Sequence, residues 1–143
     1  MNDNEAVNKC NKRRIMRILS SKVHTIIGLL VGVVLLLAPT LFGFTDSATA
    51  SMVATYVGIF IIISELVTTS RMSPLKLVPM RVHLVIDYLT GIFLALSPWL
   101  FGFSSAPANA WVPHVVVGIL VVGYALLTSP AVESEEAPLA KRM

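Results

Sequence analysis

The chain has one cysteine, Cys10, so an intrachain disulfide, a CxxC redox pair and a thiolate metal cluster are all excluded. Charge is scarce as well. Of the 143 residues 13% are Asp, Glu, Lys or Arg and 55% are hydrophobic, whereas a soluble domain carries about a quarter charged residues. From residue 23 to residue 70 there is no Lys or Arg, and the carboxylates are Asp46 and Glu65 alone. A soluble fold of this size could not cover so much apolar sequence with so few charges, so the solvent is expected to be lipid. No nucleophile–base pair, phosphate loop or cofactor motif occurs, and neither an enzyme nor a cofactor is expected. The formal charge is +3, but the basic residues lie beside apolar runs. There they orient the chain and meet anionic lipid, so nucleic acid is not an expected partner.

What is present is four apolar stretches, at residues 23–44, 52–69, 82–103 and 111–128. At 1.5 Å per residue each reaches roughly 27 to 33 Å, the thickness of a hydrocarbon core. The predicted fold is therefore an all-α membrane protein of four transmembrane helices. Lys9, Lys12, Arg13, Arg14, Arg17 and Lys22 precede the first stretch, Arg71, Lys76 and Arg81 lie between the second and third, and Lys141 and Arg142 end the chain. The other two connections, 45–51 and 104–110, hold no Lys or Arg. By the positive-inside rule those connections are outside, and both termini are cytoplasmic in a multi-pass protein of the plasma (inner) membrane. A secretory signal peptide is the competing reading, since Ala48-Thr49-Ala50 resembles a cleavage site. It is disfavoured because that site lies beyond the apolar run, and because the run recurs deep in the chain.

The recurrence is a shift of 59 residues that lays 23–44 (VHTIIGLLVGVVLLLAPTLFGF) on 82–103 (VHLVIDYLTGIFLALSPWLFGF), with twelve of 22 positions identical. The second helices align after one added residue, pairing Val57-Gly58-Ile59 with Val117-Gly118-Ile119. The unit that repeats is a helical hairpin, and because both copies start on the same side they are parallel repeats about an axis along the membrane normal. The expected organisation is a basic segment (1–22), a first hairpin (23–70), a proline-stiffened cytoplasmic linker (71–81), a second hairpin (82–129) and a disordered acidic tail (130–143).

Ser97-Pro98-Trp99, within the run LALSPWLFGF, resembles the tripeptide of the SPW-repeat family of small bacterial and archaeal membrane proteins. The resemblance spans the whole membrane region and implies a repeated two-helix unit with the tripeptide in its first helix. It implies no activity. The first copy reads Ala38-Pro39-Thr40 and keeps only the proline. Pro39 and Pro98 each lack an N–H and crowd the carbonyl four residues back, so each helix is expected to bend or end there. Ser97 is expected to donate to the Phe93 carbonyl, and Trp99 to anchor the outer interface. Gly28 and Gly32, Gly58, Gly91 and Gly118 are read as close helix contacts, either within the bundle or between protomers.

The ionisable residues inside the stretches are the sharpest functional candidates: His24, Glu65, His83 and Asp87, all near the cytoplasmic ends of their helices. His83 and Asp87 share a face with Gly91, as His24 does with Gly28 and Gly32. The repeat is broken here, with Gly28 in place of Asp87 in the first copy and Ala125 in place of Glu65 in the second. The preferred reading is mutual satisfaction of His and carboxylate close to the headgroups, where water reaches them. The alternatives are a proton- or cation-handling site and a metal site of two His and two carboxylates; no metal is assigned, because no ligand spacing shorter than i+4 supports one. His114 is expected to lie apart. The preferred function is a structural or accessory bundle that associates with itself or with another membrane protein, against a small transporter or channel.

Overall fold

The structure, a computed structural model, describes residues 19–68 and 74–128. The basic segment as far as residue 18, with Cys10, the start of the linker and the acidic tail lie outside the described residues. Among those described the chain forms four helices and no named strand: α1 (Ser21–Leu41), α2 (Ala48–Val67), α3 (Met80–Leu100) and α4 (Ala108–Leu127). All four are long and apolar enough to cross a membrane.

Each helix starts two to four residues before its apolar stretch and stops one to three residues short of its end. Apolarity marks depth in lipid, whereas caps and turns mark where a helix begins and ends. Ser20 caps α1 by accepting the Val23 N–H, and the polar Thr49, Ser51 and Asn109 are already helical. At the other end Gly43 and Gly102 take positive φ values of 67° and 72°, a conformation that stops a helix and favours glycine. In α1 the stop is a Schellman turn, with the Phe44 N–H on the Pro39 carbonyl at 2.9 Å; after α3 the Pro98 carbonyl accepts instead from the Ser104 N–H, one residue further on, at 3.0 Å.

Pro39 and Pro98 thus lie in the last turns of their helices. Ser97 Oγ donates to the Leu94 carbonyl at 2.7 Å, and not to Phe93 as the sequence suggested. The reason is steric bookkeeping along the helix: Ser97's own N–H serves Phe93, while Leu94 is the carbonyl that loses its donor to Pro98. Serine before proline repairs the bond that proline breaks. Because Ser97 is fully buried, Ser97→Ala is expected to cost about 1 to 3 kcal/mol, the penalty for a buried unsatisfied carbonyl. Thermal unfolding in detergent checks this, with Ser105→Ala as the exposed control.

Packing is closest within each hairpin, α1 on α2 and α3 on α4. A Cβ at Gly58 would meet the Gly32 carbonyl at 2.8 Å, and one at Gly91 would meet the Gly118 carbonyl at 2.8 Å. The glycines therefore serve contacts inside the bundle, the first of the two expectations. The end of the bundle that carries the interhelical turns is filled by Leu35, Ala38, Phe44, Ala54, Leu94 and Phe103. His114 lies in that half, with Nδ1 2.8 Å from the Ala110 carbonyl, Nε2 3.1 Å from the Ala50 carbonyl, and its ring between Phe44 and Phe103. Asn109 ties the hairpins together there by donating to the Phe42 and Gly43 carbonyls. Trp99 is 59% exposed at this rim, beside Trp111. Around the outside Leu30, Leu89 and Ile119 are each more than 60% exposed, as lipid-facing residues must be.

Candidate buried polar site

At the opposite end, where α1 and α3 begin, three helices bring four ionisable side chains to one point. His24 comes from the first turn of α1, Glu65 from the last turn of α2, and His83 and Asp87 from the first two turns of α3. Both histidines and Glu65 are 0% exposed and Asp87 is 3% exposed. The cluster is closed over by protein and does not meet water at the headgroups, contrary to the expectation from its depth. Interhelical register brings this about, and register is not a property of any one helix.

The orientation of the imidazoles follows from two threonines. Thr68 Oγ1 donates to the Ser64 carbonyl at 2.6 Å and Thr128 Oγ1 donates to the Tyr124 carbonyl at 2.7 Å. Each hydroxyl proton is thereby spent, so each hydroxyl can only accept from the histidine beside it. His83 Nδ1 donates to Thr68 Oγ1 at 2.8 Å and His24 Nδ1 donates to Thr128 Oγ1 at 2.8 Å. The bonds cross over: Thr68 follows α2 and holds a histidine of α3, while Thr128 follows α4 and holds a histidine of α1. Backbone contacts cross in the same way, with Leu19 beside Thr128 and Val78 beside Thr68.

Both Nε2 atoms then point inward and lie 3.2 Å apart. His24 Nε2 is 2.9 Å from Asp87 Oδ2 and 3.6 Å from Glu65 Oε1; His83 Nε2 is 3.3 Å and 3.2 Å from the same two oxygens. Asp87 Oδ2 is near enough to both histidines for an ion pair yet makes no hydrogen bond, and Glu65 Oε2 is likewise without a hydrogen-bond partner. The four inward atoms lie within 4.8 Å of one another, so the group has the composition and reach to hold a metal ion. Gly28 makes room for it, because a Cβ there would overlap the Glu65 carboxylate. Its role is to admit a side chain, beyond the helix contact expected of it.

Every one of the four predicted residues is brought together, and His114 stays at the far end as expected. Sequence reasoning missed Thr68, Thr128 and Ser64, whose Oγ lies 3.1 Å from His83 Nδ1. The available signal was that Thr68 and Thr128 occupy matching places 60 residues apart, as Glu65 and Ala125 do. Tyr124 was also missed; it stands edge-on to the His24 ring at a centroid distance of 4.9 Å, in the place that Ser64 takes in the first hairpin.

Four apolar helices enclosing a polar centre near one end define an all-α, multi-pass membrane bundle. The family model of the SPW repeat domain matches residues 22–128, and the chain belongs to that family. A comparison with curated proteins found no match, and neither did one with solved structures.

Proposed function

We propose that the chain is a non-enzymatic structural or accessory protein of the plasma (inner) membrane, two parallel hairpin repeats clasped together at the cytoplasmic end. The carrying observation is the crossover at the polar centre, where each hairpin supplies the threonine that holds the other's histidine. The matched spacing of α1 with α3 and of α2 with α4 supports the repeat reading. The clasp is a joint and not a passage: beyond it the bundle is filled by Leu35, Leu94, Ile61 and Val121, all at 2% exposure or less. Dry apolar packing of this kind offers a hydrated ion no partner. A groove lined by Tyr56, Phe60, Leu89 and Phe93 lies between α2 and α3, on the side where those residues face lipid.

The absence of Lys and Arg from the turns at one end, and the basic residues before α1, support cytoplasmic termini with the basic segment on anionic lipid. Two measurements test the proposal. Cys10 should react with an impermeant thiol reagent in inverted vesicles and not in intact cells. Proteoliposomes of the purified chain should pass protons and cations no faster than protein-free vesicles. Flux that Asp87→Asn abolishes would overturn the structural reading in favour of transport.

A further inference from the structure

We propose that His24, Glu65, His83 and Asp87 form a closed four-ligand site for one divalent transition-metal ion of the zinc type. The first argument is shape. A tetrahedral ion with ligands at about 2.0 to 2.1 Å spaces those ligands roughly 3.3 to 3.4 Å apart. Five of the six spacings here are 2.9, 3.2, 3.2, 3.3 and 3.6 Å. The sixth, between the two carboxylates, is within 4.8 Å. Side chains from three helices thus stand close enough to close on one ion, five of the edges already near tetrahedral length.

The second argument concerns protons. With both Nδ1 hydrogens directed at threonine hydroxyls, the neutral imidazoles aim two lone pairs at each other across 3.2 Å. Protonating both Nε2 atoms would instead set two N–H groups of like charge face to face, and protonating one lets it donate to the other ring or to Glu65 and serves only part of the cluster. A dication between them engages both Nε2 atoms and both carboxylates at once. It also accounts for Asp87 Oδ2, which closes on both histidines without hydrogen-bond geometry. An Nδ1–H fixed by a second group is the usual outer support of a metal-bound histidine.

The third argument is charge. A fully doubled repeat would carry an Asp and a Glu in each hairpin, but Gly28 and Ala125 replace one of each. Two carboxylates and two neutral imidazoles balance a dication, which is what a site without water requires. Imidazole and carboxylate together suit zinc and its first-row neighbours, and four protein ligands with no open position make such a site structural. The ion would bridge the hairpins, with His24 and Glu65 from one and His83 and Asp87 from the other. The inference does not depend on the accessory reading, since metal content is measured on the purified chain and flux on vesicles.

The test begins with metal analysis of the full chain purified in mild detergent without chelator, where about one zinc per chain is expected. The chain is then stripped with chelator and titrated with Co2+, which should give the strong visible bands of tetrahedral coordination and be displaced by Zn2+. Thr68→Val and Thr128→Val leave the ligands in place and should weaken zinc binding about 10- to 100-fold. Asp87→Asn should abolish the tetrahedral spectrum. If stripping unfolds the chain, recovery of helix on adding Zn2+ supports the site. A purified chain without metal, helical after stripping and blind to both Co2+ and Zn2+, would overturn it and leave a cluster held by protons.

Discussion

His24→Leu is expected to destabilise the bundle by about 3 to 5 kcal/mol, the scale of breaking a buried ionic group by removing one partner. Leucine is close to histidine in volume, so a cavity is not the source of the loss. The change leaves Asp87 and Glu65 buried with a single histidine between them, and it removes the Nδ1–H from which the Thr128 hydroxyl accepts. Unfolding in mixed micelles, followed by helix circular dichroism, measures the effect. His114→Leu supplies the comparison: that ring meets two backbone carbonyls, so its loss should be smaller, about 1 to 3 kcal/mol. A loss below about 1 kcal/mol for His24→Leu would mean that the cluster carries little of the bundle's stability.

Gly118→Ala is the second large effect, and its cause is different. The added Cβ would stand 2.5 Å from the Ala95 nitrogen and 2.6 Å from the Gly91 carbonyl. Both are backbone atoms of α3, which cannot turn aside as a side chain can, so α4 must move away from α3. Overpacking of this kind costs about 1 to 3 kcal/mol. Gly123 lies on the same helix with nothing within 4 Å of an added Cβ, and Gly123→Ala should be neutral or slightly stabilising. Gly28→Ala falls between the two in mechanism. Its Cβ overlaps the Glu65 side chain, which can swing away, so the polar centre should be lost while the helices stay packed.

The contrast among these glycines shows what could be read from the sequence. Gly28 and Gly32 look alike there, as a G-x-x-x-G pair, because residue spacing gives the face of a helix but not what stands opposite. Only the register of α1 against α2 reveals that Gly32 faces Ile62 and the Gly58 carbonyl, and Gly28 a carboxylate. The four spans and the grouping of His83 with Asp87 were legible, since the first depends on apolar length and the second on the i,i+4 geometry of a single helix. The approach of His24 to Asp87 was not, because it depends on two helices at once. Thr68 and Thr128 were hidden for another reason: a hydroxyl at a helix end reads as a local cap. Here each does close the last turn, and it also accepts from a histidine on another helix.

The central claim is that a buried polar clasp joins the two hairpins, and a double-mutant cycle between His24 and Asp87 tests it most directly. These residues belong to different hairpins, and their side chains approach to 2.9 Å. Stabilities of the parent, His24→Leu, Asp87→Leu and the double variant are measured in mixed micelles. The clasp predicts that the double variant loses less than the sum of the singles, with a coupling of about 1 to 3 kcal/mol. Losses that add to within about 0.5 kcal/mol would contradict it.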